Sequence, residues 1–219
     1  MIICRGFEGL VVGCGIAAVA GCESAPPPPL VRPATFIPLG VSAAYLNTDV
    51  IGGHRTRAAK MRAAKIHPLS PAAVPAYMAE LDQQLRQQTA GIGLDVLNLG
   101  SSIVVRIPAT FTFDAGSSAV KPQTDATLLE IARTVKTRNQ TFIDVLAHTD
   151  TSGTPQGNLA LSGKRAAAVA TYLANHGVAK ARIASHGLGQ SVPLYNPDVT
   201  DIQKAANRRI EIRLVPYRG

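Results

Sequence analysis

The chain has 219 residues, 46% hydrophobic and 16% charged: enough apolar sequence for a core, and too little charge for a disordered polyelectrolyte. Aromatics stand at 5% with no Trp, which argues against an aromatic-rich lectin or porin surface. The net charge of +8 favours anionic partners such as nucleic acid, membrane headgroups or an acidic polymer, without choosing among them.

All three cysteines, Cys4, Cys14 and Cys22, crowd the N-terminal end, so Glu23 to Gly219 offers neither a disulfide nor a cysteine-ligated metal. Arg5 precedes an apolar stretch, Leu10 to Ala20, of export-signal length and too short to span a bilayer as a helix. It ends in Val19-Ala20-Gly21-Cys22, which resembles a bacterial lipobox: small side chains before the cleavage point, and a thiol to carry diacylglycerol. On this reading residues 1–21 are a lipoprotein signal peptide, and Cys22 is the lipidated, palmitate-bearing mature N-terminus. The chain is then anchored in the outer membrane and faces the periplasm. An alternative start or an ordinary buried strand is the other reading of the same residues.

Residues 22–38 follow as a tether. Pro26 to Pro29, with Pro33 and Pro38 beyond, favour an extended chain that advances ~3.1 Å per residue. Residues 39–74 are basic. Within them Asp49 to His67 carries Arg55, Arg57, Lys60, Arg62 and Lys65, read either as a solvated helix or disordered arm, or as a contact for anionic lipid or wall polymer. No aromatic residue interleaves these charges, so a base-stacking platform, and nucleic acid as a partner, are not expected.

Residues 75–102 open the folded part. Pro75 to Thr89 has helical spacing, with Tyr77, Leu81 and Leu85 on one stripe, and Gly91-Ile92-Gly93 ends it. Leu94 to Leu99 and Ile103 to Ile107 read as strands of a hairpin turned at Gly100-Ser101-Ser102. Phe111 to Asp114 reads as a short strand and Pro122 to Arg138 as a helix with Leu128, Ile131, Ala132 and Val135 inward. Phe142 to His148 reads as a strand and Asn158 to His176 as a helix ended by Gly177. Ile183 to His186 and the alternating Arg208 to Leu214 are the last strands. The predicted class is α+β: a βαβαββ mixed sheet with helices packed on it, preceded by a small helix-plus-hairpin segment.

The chemistry gathers after the Phe142 strand. Asp150 stands where strand becomes loop, and Asn158, Ser162, Arg165 and Val169 share one face of the following helix. An Asp and an Arg on adjacent elements form either a structural salt bridge or a zwitterion clamp, with a carboxylate for an ammonium and a guanidinium fork for a carboxylate.

The string Thr149-Asp150, then Gly153, Asn158, Leu161-Ser162 and Arg165-Ala166, resembles the OmpA-like C-terminal domain family. Phe111-Thr112-Phe113-Asp114, Tyr172-Leu173, Gly177, Arg182-Ile183, Gly187, Gly189, Pro193 and Asn207-Arg208-Arg209-Ile210-Glu211 agree with it. The resemblance covers about residues 103–216. It implies noncovalent binding of peptidoglycan through meso-diaminopimelate, with Asp150 on the ammonium and Arg165 on the carboxylate. Asp114, Ser152, Asn158 and Arg208 stand at matching positions around that pocket. Ala147 stands where the family usually has Gly, and either narrows the pocket or fills a core gap.

A hydrolase set could be drawn from His148, His186, Ser162 and Asp150, but no Gly-x-Ser-x-Gly surrounds Ser162 and no HExxH or CxxC is present. The expectation is therefore no catalytic residue, metal or cofactor. The partners expected are peptidoglycan and the outer membrane. An alternative is a scaffold or signalling lipoprotein whose N-terminal segment docks an envelope protein.

Overall fold

In the computed structural model, which describes residues 50–219, the chain enters through a basic helix, α1 (His54–Ala63). A 3-10 turn (Pro71–Ala73) leads into α2 (Val74–Thr89), then the hairpin β1 (Asp95–Asn98) and β2 (Ile103–Pro108). A helical turn α3 (Ala109–Thr112) precedes α4 (Pro122–Thr137), β3 (Thr141–His148) and α5 (Pro155–Asn175). A second 3-10 turn (Lys180–Arg182), β4 (Ile183–Gly189), α6 (Asp201–Asn207) and β5 (Arg209–Pro216) complete the order. The reading of residues 1–38, with the signal peptide, Cys22 and the tether, lies outside the described residues.

The sheet runs β1-β2-β5-β3-β4; β3 and β4 are parallel, joined by the α5 crossover, and the other pairs are antiparallel. Alternation gives it two distinct faces. One carries Ile103, Val105 and Ile107 of β2, Ile210, Ile212 and Leu214 of β5, and Ile143, Val145 and Ala147 of β3. Against it pack Met78, Leu81 and Leu85 of α2, Leu128, Ile131, Ala132 and Val135 of α4, and Ala166, Val169 and Leu173 of α5. These helical residues recur at three- and four-residue spacing, which is why each helix forms and which face it buries. Ala147 is fully buried in this core, so its methyl fills core space.

The opposite face is charged, and also buried. Arg209, Glu211, Arg213, Asp144 and His148 are all under 10% exposed. Arg209 and Arg106 pair with Glu211 at 2.7 and 3.3 Å, and Arg213 pairs with Asp144 at 2.7 Å. At one end α1 closes this face: Ala58 and Met61 pack with Val50, Ile66, Phe142, Val215 and Tyr217. Arg57, read from the sequence as part of a surface run, is interior. Its Nη1 pairs with Asp144, its Nη2 donates to the carbonyls of Ile143 and Arg182, and the guanidinium lies 5.1 Å from the Phe142 ring centre. Burial pushes the Arg57 pKa down, and the Asp144 charge opposes that shift. Of the basic 39–74 segment, residues from Val50 onward are thus folded against the sheet.

Two readings of the sequence need correction. Phe111 to Asp114 is not a strand. Once Pro108 ends the β2–β5 pairing, the chain makes a helical turn in which the Phe113 N–H donates to the Ala109 carbonyl at 2.8 Å and the Thr112 hydroxyl to the Pro108 carbonyl at 3.3 Å. This turn buries Phe113. The segment before β5, for which the sequence pattern predicts no element, holds α6. Its signal was present as a capping box, with the Thr200 hydroxyl accepting from the Gln203 N–H at 3.2 Å and the Gln203 side chain accepting from the Thr200 N–H at 3.0 Å.

One close contact sets where α5 lies. A Cβ on Gly187 of β4 would stand 2.1 Å from the Gly163 nitrogen and 2.6 Å from its Cα, so helix and strand meet backbone to backbone. Beside it the Ser162 hydroxyl donates to the Leu159 carbonyl at 2.9 Å and accepts from the Gly189 N–H at 2.9 Å.

The buried Asp144 carboxylate is the point at which α1 is fastened. Asp144→Ala leaves buried guanidinium groups without their counter-charge and is expected to cost about 3–5 kcal/mol in urea denaturation. Removing the exposed Arg86–Asp82 pair on α2 should cost no more than about 0.5 kcal/mol.

Candidate ligand-binding site

Where β3 ends, the ladder continues one step: the Thr149 N–H donates to the Gly189 carbonyl at 2.8 Å. Asp150 follows, 6% exposed. One carboxylate oxygen accepts from the Ser152 N–H at 3.1 Å and the other pairs with Nη1 of Arg208. Thr154 caps α5 by accepting from the Gly157 N–H at 3.1 Å, which starts the helix beside this loop. From its first turn Asn158 reaches back, and its Nδ2 faces the carbonyls of Asp150 and Ser152 and the side-chain oxygen of Gln190 at 3.1, 2.9 and 2.8 Å. The loop is thus shaped from beneath by a buried amide.

Arg165 stands two turns further along the same face, 5% exposed. Its Nε and Nη2 donate to the carbonyls of Ser117 and Asp114 at 2.8 and 3.1 Å, and its guanidinium lies 5.2 Å from the Phe113 ring centre. Burial and the neighbouring Arg208 charge push its pKa down, while Asp150 pushes it up. Asp150 and Arg165 therefore feel each other's charge without forming an ion pair. The structural salt bridge considered from spacing is not made; Asp150 takes Arg208, and Arg165 takes two main-chain carbonyls.

The six residues singled out from the sequence differ in what they contribute. Asp150, Asn158, Arg165 and Arg208 present side chains to one locus. Ser152 contributes its main-chain N–H and carbonyl. Asp114 contributes its carbonyl, while its carboxylate is exposed and pairs with Lys121 at 3.1 Å.

Sequence reasoning missed Asp198 and Ser117. Asp198, 4% exposed, accepts from the Thr151 N–H at 3.0 Å, from the Thr151 hydroxyl and from Nδ2 of Asn207 at 2.9 Å. Burial would raise its pKa, but these donors outweigh burial and hold it below the usual value. It ties the β4–α6 loop to the Asp150 loop. Asn207, visible beside Arg208 in the sequence, also accepts from the N–H groups of Leu194 and Tyr195 at 2.7 and 3.0 Å. Ser162 is fully buried and acts as a staple between α5 and β4.

With this geometry the comparisons with known proteins agree. The OmpA family pattern matches residues 112–208, the stretch that supplies every side chain just described. The peptidoglycan-associated lipoprotein of Pseudomonas aeruginosa is 33% identical over 117 residues, which cover 53% of this chain and 68% of that protein. The chain belongs to the OmpA family. The Escherichia coli protein named "Probable lipoprotein YiaD" is 36% identical over 140 residues, 64% of each chain, so this OmpA-family chain spans just under two thirds of YiaD's length. Among solved structures, the cell wall anchor of the T6SS from Pseudomonas aeruginosa is 27% identical with a TM-score of 0.55, over 62% of this chain and 96% of that one.

Beneath the site, at the end of β3, His148 is 1% exposed with Nε2 at 3.7 Å from Glu211. Burial lowers the His148 pKa, the Arg209 and Arg106 charges lower it further, and Glu211 opposes them. Burial works against ionisation of Glu211, but the His148 contact and the Arg209 and Arg106 charges outweigh it and hold that carboxyl far below its usual range. His148 is thus neutral in the fold and takes up a proton as the chain unfolds. Stability is intact above about pH 6.5, the ordinary histidine value, and falls as the pH drops from there toward the lowered folded-state value. Thermal melting between pH 7 and 5 should show this slope in the parent protein and a flatter profile in His148→Asn.

Proposed function

We propose that this chain binds peptidoglycan noncovalently by gripping the zwitterionic end of meso-diaminopimelate, and that a lipid on Cys22 holds it in the outer membrane, facing the periplasm. One observation carries the reading. Asp150 and Arg165 sit in one locus, each fixed by partners other than the opposite member, inside the segment that matches the OmpA family. Oppositely charged groups that do not neutralise each other suit a ligand bearing both charges. Asp150, oriented by Ser152 and Arg208, takes the ammonium. Arg165, with Nε and Nη2 committed to carbonyls, offers Nη1 to the carboxylate. The names of two relatives, a peptidoglycan-associated lipoprotein and a cell wall anchor, support the same class of ligand. No step of bond making or breaking is part of this reading.

The grip is tested by co-sedimentation with purified sacculi. Truncating one member of a desolvated charge pair costs on the order of 2–5 kcal/mol, so Asp150→Ala and Arg165→Ala should each weaken binding roughly 30-fold or more. Arg165→Lys should not restore it, because an ammonium cannot span the Ser117 and Asp114 carbonyls and the ligand together. Walls with lysine in place of diaminopimelate should bind poorly, since they lack the carboxylate. Melting curves on the same samples report whether the variants are folded; normal wall binding by folded Asp150→Ala and Arg165→Ala would overturn the clamp.

The anchor has its own measurement. Cys22→Ser should abolish lipid labelling and move the protein out of the membrane fraction, because a bacterial lipoprotein is held by several acyl chains where one gives marginal binding. Labelling that persists in Cys22→Ser would assign the lipid elsewhere.

A further inference from the structure

The outward side of α1 has no part in the peptidoglycan site. Arg57, Ala58 and Met61 face the sheet. At 100° per residue the opposite ridge is Thr56, Ala59 and Ala63, all small and exposed. Arg55 and Arg62 stand two turns apart on one flank of that ridge and Lys60 on the other, with Lys65 just beyond the helix; all four are exposed. None of the four joins an ion pair among the described residues, and the sequence from Val50 to Ala79 has no Asp or Glu to neutralise them. Exposed Lys180 lies in the 3-10 turn whose Arg182 carbonyl receives Arg57, and so adds a cation beside the helix. A ridge of small residues between two cationic flanks lets a helix lie flat on a surface of negative groups, with its long side chains reaching down on both sides.

Position chooses the partner. The proposed clamp lies beyond the C-terminal end of β3, whereas α1 is fastened at the N-terminal end through Phe142, Ile143 and Asp144. Asp144 and Asp150 are six residues apart, roughly 20 Å at ~3.3 Å per residue. Val50, which joins the folded part to the N-terminal segment, packs at the α1 end. A wall polymer bound at the clamp therefore lies at the far end from α1, while a lipid-anchored N-terminus brings the bilayer to the near end. We infer that the outer face of α1 docks on anionic phospholipid headgroups and holds the domain upright, with its clamp directed away from the membrane. The choice of headgroups over wall polymer and this orientation rest on the wall-binding and anchoring reading above; the exposed cationic flanks do not.

The test uses the full chain carrying Cys22→Ser, so that no acyl chain drives binding, and vesicles of phosphatidylglycerol with phosphatidylethanolamine against vesicles of phosphatidylcholine. Any contribution of the apolar N-terminal stretch is common to both kinds of vesicle, so the readout is the ratio between them. A basic residue near an anionic surface contributes about fivefold in binding (about 1 kcal/mol). Arg55→Gln, Lys60→Gln, Arg62→Gln and Lys65→Asn combined should therefore lower the anionic preference on the order of 600-fold, and 0.5 M salt should lower it strongly in the parent. Sacculus binding by this quadruple variant should be unchanged. Asp150→Asn should show the converse: sacculus binding lost, vesicle binding kept. An equal preference of parent and quadruple variant for anionic vesicles would overturn the inference, as would loss of sacculus binding in the quadruple variant with its vesicle binding intact, which would assign the face to wall polymer. Failure of the parent to bind sacculi while it still prefers anionic vesicles would sink the wall reading and leave the headgroup contact standing.

Discussion

Helix α5 touches strand β4 along bare backbone, because Gly187 lacks the methyl that would press into the backbone of Gly163. With the helix at that depth, the Ser162 hydroxyl reaches the Gly189 N–H, and Asn158 reaches the carbonyls of the Asp150 loop. Arg165 then falls within reach of the Ser117 and Asp114 carbonyls, and its guanidinium closes the loop before α4. A side chain at Gly187 would lift the helix and separate the amide from the loop it shapes. The site is thus a product of interatomic distance in the core, in the way close-packed interiors pass displacement on without absorbing it.

The sheet solves a second problem on its other face. Strands β3 and β5 carry Asp144, His148, Arg209, Glu211 and Arg213 on a surface that is buried, not wet. Burying such groups is costly unless each charge meets its opposite with hydrogen bonds to spare. Here carboxylates and guanidinium groups alternate across strands, and Arg182, fully buried, is met by the carbonyls of Val135, Arg138 and Thr141. Burial still pulls its pKa down to about 10. A wrongly registered β5 would set like charges against each other, so this face specifies strand alignment more sharply than an apolar one would.

Much of this was legible in the chain of residues. Helices α2, α4 and α5 follow from apolar spacing, β3 from a strand-like run, β5 from alternation, and the Asp150–Arg165 locus from its motif. What could not be read depends on distant partners. Arg57 looks like one more cation in a basic run until Asp144, 87 residues away, is brought beside it. Asp198 looks like a loop residue until Thr151, 47 residues away, is found on its carboxylate. Phe111-Thr112-Phe113 has the composition of a strand, but the pairing ends at Pro108 and Phe113 must turn into the core. Local preference yields there to a tertiary demand, as it does for most strand-forming residues.

The placement of Asp144 and Asp150 on one strand and its continuation bears on how the domain would carry tension. A pull between the α1 fastening and a ligand at Asp150 travels lengthwise through the covalent backbone of β3, the strand flanked on both sides by β4 and β5. Covalent bonds bear the load along that path, and the ladder hydrogen bonds on either side are not in series with it; the element in series is the Arg57–Asp144 fastening. Since forced unfolding is a matter of rates and not of equilibrium stability, a domain loaded this way can be only moderately stable at rest and still yield slowly under strain.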